Sequence, residues 1–271
     1  MRGDRFYRGG AESMINFFYT KNGGIRMKKI VFMLCMSLAV TMCASPCMAK
    51  QKKVTYKYKA SNKTLTISGK NLGHMQAGFP ISDRNPDKYQ YKWHSKRKKT
   101  EKIILKKGVR TIGDSAFYNF GKLKKVTFCK GIVAIGECAF SETGIQKIVL
   151  PNSVKKIGGC AFYAGMREGK LKSVKLSSEL RTIGDAAFGG QSIQSIIIPS
   201  KVEKIEAGAF AQCDSLRKIV IKSKKIKTIG EEAFADIGKN AKIYIPKERE
   251  QDYREMIEGK LTSPDVQIIA Q

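Results

Sequence analysis

Apolar positions along the middle of the chain recur in a hexamer with Ile first, Gly second and Ala-Phe last. The hexamer occurs six times, and only Glu206 replaces the expected Gly. Its phenylalanines are Phe117, Phe140, Phe162, Phe188, Phe210 and Phe234. They lie 23, 22, 26, 22 and 24 residues apart. A unit of this length cannot bury its own apolar face, which predicts a solenoid whose stacked units share one core filled by the phenylalanines. The Gly is predicted to allow a tight turn.

A second pattern lies between the hexamers, where short segments alternate between inward and outward positions. These segments are Ile103–Leu105, Val126–Phe128, Ile148–Leu150, Val174–Leu176, Ile196–Ile198, Ile219–Ile221 and Ile243–Ile245. Their length and β-branched content predict one short strand per repeat in a parallel sheet. Pro151, Pro199 and Pro246 follow three of them, where a residue without an N–H can end the pairing.

The two patterns together resemble the BspA-like leucine-rich repeat family of bacterial surface proteins. The matching motif is Val/Ile-x-x-Ile-Gly-x-x-Ala-Phe, followed by a strand that often ends in Pro, from about Glu101 to Pro246. The resemblance implies an α/β fold: a leucine-rich repeat solenoid with a curved parallel β-sheet, one short strand per ~23-residue repeat, and caps at both ends. It also implies adhesion or other extracellular contacts, and it provides no catalytic residues.

The N-terminal residues are predicted to direct export. Met27 is followed by the basic residues Lys28 and Lys29 and then by the apolar run Ile30–Met42. A small residue, Ala49, precedes Lys50. Residues 27–49 are therefore interpreted as a secretory signal peptide. The run is too short to span a membrane, and no membrane span is expected in the mature protein. Residues 1–26 are interpreted as a mis-annotated upstream extension. The predicted location is secreted or on the cell surface of a bacterium, after the signal peptide is removed.

Both ends of a solenoid core must be covered, which assigns the remaining residues to caps. Residues 50–100 are predicted to form an N-terminal cap with a β-hairpin around Thr64–Gly69, and residues 101–246 the repeats. Residues 247–271 are predicted to form a C-terminal helical cap that buries Tyr253, Met256 and Ile257, because these three lie at helical spacing.

Outward positions of the predicted strands form two columns on the concave face of the sheet. The candidate partner-binding residues are Lys102, Ile104, Lys125, Thr127, Lys147, Val149, Lys175, Ile197, Lys218, Val220, Lys242 and Tyr244. An apolar stripe beside a lysine-rich stripe favours binding of an acidic extracellular protein or an anionic glycan. The alternative is that Ile and Val simply suit strands while Lys keeps the surface soluble.

The net charge has two interpretations, a functional basic patch that attracts polyanions and a solvated charged surface. The chain has 51 Lys and Arg against 23 Asp and Glu, a net charge of +28. The leading hypothesis is therefore a secreted or surface-associated protein-interaction or adhesion module. The alternative is a passive wall-associated structural protein held by its positive charge to anionic wall polymers. No nucleic-acid motif is present, and nucleic acid is not an expected partner.

Residues with catalytic or metal-binding chemistry are few. The only histidines, His74 and His94, lie outside the repeats and lack metal-ligand spacing, so no metal, cofactor or enzymatic activity is predicted. Trp93, Tyr89 and Tyr91 are predicted to cover the first repeat. Cys138 and Cys160 occupy the same position of adjacent repeats; two free thiols are favoured, and a disulfide remains the alternative.

Overall fold

The computed structural model describes residues 54–69, 91–165, 168–262 and 265–271. The predicted signal peptide, the extension before it, His74 and Tyr89 lie outside these described residues. In the described part the chain winds into stacked coils, and each coil has three sides that we term the strand side, the second side and the turn side.

The strand side carries the parallel sheet predicted from the alternating segments. Its strands are β2 (Thr64–Ser68), β3 (Lys102–Leu105), β5 (Lys125–Thr127), β7 (Lys147–Val149), β9 (Ser173–Lys175), β11 (Ser195–Ile198), β13 (Lys218–Ile221), β15 (Lys242–Ile245) and β16 (Gln267–Ala270). They form the hydrogen-bonded groups β2-β3-β5, β7-β9 and β11-β13-β15-β16. The prediction of one short strand of this sheet per repeat is confirmed.

The second side carries a further parallel sheet that the sequence analysis did not anticipate. Its strands are β4 (Thr111–Ile112), β6 (Ala134–Ile135), β8 (Lys156–Ile157), β10 (Thr182–Ile183), β12 (Lys204–Ile205) and β14 (Thr228–Ile229), and they pair in that order. Each strand consists of the first Ile of the hexamer and the residue before it. Two residues are too few to show the alternation by which a strand is recognised in a sequence.

The turn side contains the rest of each hexamer and is held by backbone hydrogen bonds between coils. The N–H of Phe117 donates to the carbonyl of Ala139 at 2.9 Å, and that of Phe140 donates to Ala161 at 2.7 Å. The residue two before each Phe has a left-handed backbone, with φ between 47° and 58°, at Ser115, Cys138, Cys160, Ala186, Gly208 and Glu232. The requirement at this position is therefore one of backbone conformation rather than of small size.

The recurring hexamer Gly has a different role from the predicted tight turn. None of Gly136, Gly158, Gly184 and Gly230 is among the described residues with positive φ. A Cβ built on Gly230 would lie 2.4 Å from the backbone nitrogen of Ala207 in the preceding coil. Glycine is needed because adjacent coils approach closely at this point.

The core is a continuous stack of phenylalanine rings, as the sequence predicts. The six hexamer phenylalanines are at most 3 % exposed. The centroid of Phe162 lies 5.2 Å from that of Phe188, which lies 5.3 Å from that of Phe210, with rings within 7° of parallel. Rows of inward Ile, Leu and Val from both sheets pack around this stack.

Side chains close the N-terminal end of the turn side, where no preceding coil donates hydrogen bonds. The indole Nε1 of Trp93 donates to the Ala116 carbonyl at 2.8 Å, and Nε2 of His94 lies 3.0 Å from the same oxygen. The hydroxyl of Tyr91 donates to the Asp114 carbonyl at 3.2 Å. These carbonyls correspond to those that accept from the preceding coil in later repeats, so the aromatic side chains replace the missing coil. On the strand side β1 (Thr55–Lys59) pairs antiparallel with β2.

The C-terminal end combines a helix with an added strand. Helix α1 (Glu250–Ile257) buries Tyr253 and Ile257 completely, and Met256 is partly buried against the core. The predicted helical cap therefore includes a helix, but residues 267–270 form β16, parallel to β15. On the turn side, the N–H of Asp236 donates to the Thr262 hydroxyl at 2.8 Å. Short 3-10 helices occur at Ala60–Asn62, Lys92–Lys96, Lys247–Arg249 and Glu258–Lys260.

Candidate partner-binding surface

The candidate surface is the outward side of β3, β5, β7, β9, β11, β13 and β15, which we term the strand face. Its first column consists of the exposed residues Lys102, Lys125, Lys147, Ser173, Ser195, Lys218 and Lys242. In-register pairing places these side chains next to one another, as in Lys102 with Lys125 and Lys218 with Lys242. The lysines project outward because the following residue of each strand is turned into the core.

The second column consists of the next outward residues, two positions further along each strand: Ile104, Thr127, Val149, Lys175, Ile197, Val220 and Tyr244. Thr127 and Lys175 are exposed, whereas Ile104, Val220 and Tyr244 are half-buried. Val149 and Ile197 are 51 % and 53 % exposed, and they are the large hydrophobic side chains that stand out from the described surface. The Nζ atom of Lys218 lies 5.5 Å from the ring centroid of Tyr244, a cation–π contact that joins the two columns. All twelve candidate residues thus lie on one face.

Charge on the strand face has a single sign. The seven strands contain six lysines on this face and no Asp or Glu. Within the described part of the chain, none of the six lysines forms an ion pair. Their charges are therefore available to an external anion.

Glu101 lies at the edge of the strand face, where two lysines already balance the negative charge of its carboxylate. Its carboxylate lies 2.5 Å from Nζ of Lys63 and 3.1 Å from Nζ of Lys124. Hydrogen bonds from these two lysines lower the pKa of Glu101 to about 2. The pKa of Lys63 is raised by the same hydrogen bond.

Acidic residues recur on the turn side of the coils. The hexamers contain Asp114, Glu137, Asp185, Glu206, Glu231 and Glu232, and they contain no Lys or Arg. Burial, followed by the nearby Glu206, raises the pKa of Asp185. The net charge of the whole chain conceals this separation, which was missed although it can be read from the hexamers themselves.

The two buried thiols, Cys160 and Cys213, are poor candidates for a reactive site. Among the described residues, Cys129, Cys138, Cys160 and Cys213 are not joined in disulfide bonds. Burial raises the pKa of Cys213 to about 12. A hydrogen bond with Cys138 and then burial raise the pKa of Cys160. A thiol with a raised pKa is protonated at neutral pH and is a poor nucleophile or metal ligand.

Other chemistry on the described residues is equally limited. His94 is buried in the N-terminal cap, and burial lowers its pKa. Among the described residues, no group of three or more His, Cys, Asp or Glu side chains is arranged to hold a metal ion. The search for apolar helices of membrane-spanning length finds none in the same residues.

Comparison with known families identifies the repeat. Six copies match the family described as "BspA type Leucine rich repeat region", over residues 89–167 and 166–259, which is more than half of the chain. A comparison with curated proteins finds no match.

A solved leucine-rich repeat structure shares the fold of this chain. A leucine-rich repeat protein from Eubacterium ventriosum is 18% identical with a TM-score of 0.54, over 74% of this chain and 65% of that one. One from Bacteroides ovatus is 19% identical with a TM-score of 0.44, over 74% of this chain and 59% of that one. The chain thus spans less than two thirds of either of these two proteins. A T. pallidum leucine-rich repeat protein is 20% identical with a TM-score of 0.46, over 84% of this chain and 99% of that one. The predicted leucine-rich repeat solenoid is confirmed.

Proposed function

Because this chain belongs to the BspA type leucine-rich repeat family, we propose that it is a protein-interaction module that binds an anionic extracellular partner through the strand face. The module would act at a bacterial surface or after secretion, as an adhesion or recognition element. It would do so noncatalytically, since a solenoid of this kind offers an extended binding surface.

One observation carries this proposal: the strand face gathers six lysines and two exposed aliphatic side chains without a single carboxylate. The fold requires only the inward residues of these strands, so packing does not explain the uniform sign. A mixed-charge surface would serve solubility equally well. A surface of one sign favours a partner of the opposite sign and accelerates its association.

The chemistry of the thiols supports a noncatalytic role. Cys160 and Cys213 are buried with raised pKa values, and no histidine occurs in the repeats to activate a nucleophile. Binding would therefore be noncovalent.

A second candidate function rests on the overall charge of +28. In this alternative the protein is a passive structural component of the cell wall, held by anionic wall polymers. Its attachment would depend on net charge and not on which lysines supply it.

Two triple variants with the same change in net charge separate these candidates. The first reverses Lys125, Lys147 and Lys218 to Glu on the strand face. The matched control reverses Lys156, Lys227 and Lys239 to Glu, which are exposed and lie elsewhere. Extracellular material is passed over the immobilised chain, and the affinity of any retained protein is measured for each variant. We expect the first variant to lose the partner and the control to keep it; equal behaviour would contradict binding by the strand face.

A salt series completes the test. Attachment to purified wall polymer that vanishes by about 0.5 M salt, equally in both variants, would favour charge anchoring. A saturable protein partner that survives this salt would favour the interaction module. Because screening at this ionic strength acts within a few ångströms, only close, partly desolvated contacts persist.

A further inference from the structure

One coil interrupts the positive charge of the strand face. Residues 189–200, which include β11, contain no charged side chain. The coil before it carries Lys172 and Lys175, and the coil after it carries Arg217 and Lys218. All four of these cations are exposed.

This uncharged segment, residues 189–200, also presents the most exposed aliphatic residue of the face. Ile197 is 53 % exposed, although its neighbours Ile196 and Ile198 in the same strand are buried. β11 pairs in register with β13, which places Ile197 beside the half-buried Val220 and Ser195 beside Lys218. With strands about 4.8 Å apart, these residues form a small apolar area bordered by cations.

Such an arrangement matches a protein partner better than a linear polyanion. The centres of protein interfaces are apolar and depleted of charge, and polar residues form their rim. A sulfated or phosphorylated polymer would instead gain from a cation on every coil. An uncharged strand with an exposed Ile would then weaken its binding.

We propose that Ile197 is the apolar anchor of the strand face, and that the occupant is an acidic protein segment with one apolar side chain between carboxylates. The inference rests on the proposed function, since it specifies the partner of the same surface. The apolar side chain packs on Ile197 and Val220, while the flanking carboxylates pair with Lys175 and Lys218.

Synthetic probes test this assignment without knowledge of the natural partner. The first is a peptide with a single Leu between two runs of Glu. The second has Ser in place of Leu, and the third is a heparin oligosaccharide of similar charge. Their dissociation constants are measured with the full chain, with Ile197→Ser and with Val149→Ser. Val149 is a matched control because it is a similarly exposed aliphatic residue of the same face, 51 % against 53 %, but lies in a coil that carries Lys147.

We expect the full chain to bind the Leu peptide about tenfold more tightly than the Ser peptide, as burial of a few methylene groups implies. Ile197→Ser should abolish this preference and Val149→Ser should retain it, with unchanged unfolding midpoints. If both peptides bind equally, with affinity that depends on Lys125, Lys147 and Lys218, the anchor is wrong while the proposed function stands. Tighter binding of the oligosaccharide, insensitive to Ile197→Ser, would likewise overturn it in favour of a polyanion.

Two further outcomes are informative. If no probe binds and charge reversal on the strand face has no effect on any partner, both the anchor and the proposed function fail. If the chain alone self-associates at low salt and strand-face charge reversal abolishes this, the occupant is the acidic turn side of a second copy. That result would overturn the assignment to an acidic segment of another protein.

Discussion

The strand side and the turn side of each coil are built under different constraints. On the turn side, the recurring residues are those that stacking demands: a Gly where coils approach, a left-handed position, and a buried Phe. On the strand side, stacking fixes only the inward residues, and the outward ones are free to vary. Those outward residues nevertheless repeat Lys and avoid Asp and Glu.

The comparison separates residues that the fold needs from residues that it does not need. Recurrence on the turn side is explained by packing and backbone geometry. Recurrence of lysine on the strand side has no such explanation, which is why we propose that a partner binds there. The two sides also end differently: added strands extend the strand side, whereas side chains of Tyr91, Trp93 and His94 complete the hydrogen bonds of the turn side at its first coil.

Removing one ring from the phenylalanine stack should show the difference between the two sides most clearly. Phe188→Ala is expected to lower the free energy of unfolding by about 3–5 kcal/mol, since the ring is completely buried between two others. Its strand-side control, Ile197→Ala, should change it by about 0.5 kcal/mol or less, because that side chain is exposed. Denaturant unfolding measures both. Similar losses in the two variants would show that the outward strand residues are structural after all.

A methyl group at the close approach of two coils should have the next largest effect. Gly230→Ala places a Cβ 2.4 Å from the nitrogen of Ala207 and 2.7 Å from the carbonyl carbon of Glu206. We expect a loss of about 1–3 kcal/mol in unfolding free energy. Gly259→Ala is the control, because a Cβ there meets nothing within 4 Å. Equal stability of the two variants would mean that the coils separate easily at this point.

The side-chain closure of the turn side predicts a dependence of stability on pH. Burial lowers the pKa of His94 below its ordinary 6.5, so on acidification the unfolded chain takes up this proton before the folded chain does. Stability should therefore fall as the pH drops below about 6.5, by about 1.4 kcal/mol for each unit by which the pKa is lowered. His94→Gln, which retains a donor for the Ala116 carbonyl, should lack this contribution. Urea unfolding at pH 7.5 and pH 5 compares them, and parallel losses would contradict the closure.

The smallest effect concerns the left-handed position of the turn side. Glu232 has a φ of 56°. This left-handed conformation is unfavourable in free energy for any residue that has a Cβ atom. Glu232→Gly is expected to raise the unfolding free energy by about 0.5–1 kcal/mol. Ala207→Gly, at a nearby position without a positive φ, should lower it by a similar amount. Thermal unfolding distinguishes the opposite signs, and destabilisation by Glu232→Gly would refute the conformational explanation.

The repeat length, the buried phenylalanines, the strands of the strand side and the two outward columns could all be predicted from the sequence. Each of these follows from the spacing of apolar and polar residues along the chain, which can be read without knowing how the coils stack. The outward placement of Lys125, Lys218 and Ile197 could be predicted for the same reason. The separation of acidic hexamers from basic strands was also present in the sequence, although its meaning depends on the two lying on different sides of a coil.

The contacts between one coil and the next could be seen only in the folded chain. The two-residue strands, the left-handed positions and the close approach at Gly230 depend on backbone atoms of a neighbouring repeat, about 22–26 residues away. The closure by Trp93 and His94 and the addition of β16 likewise satisfy hydrogen bonds that exist only once the coils are stacked. Local hydrophobicity indicates which residues are buried, but it does not indicate which distant backbone groups satisfy their hydrogen bonds.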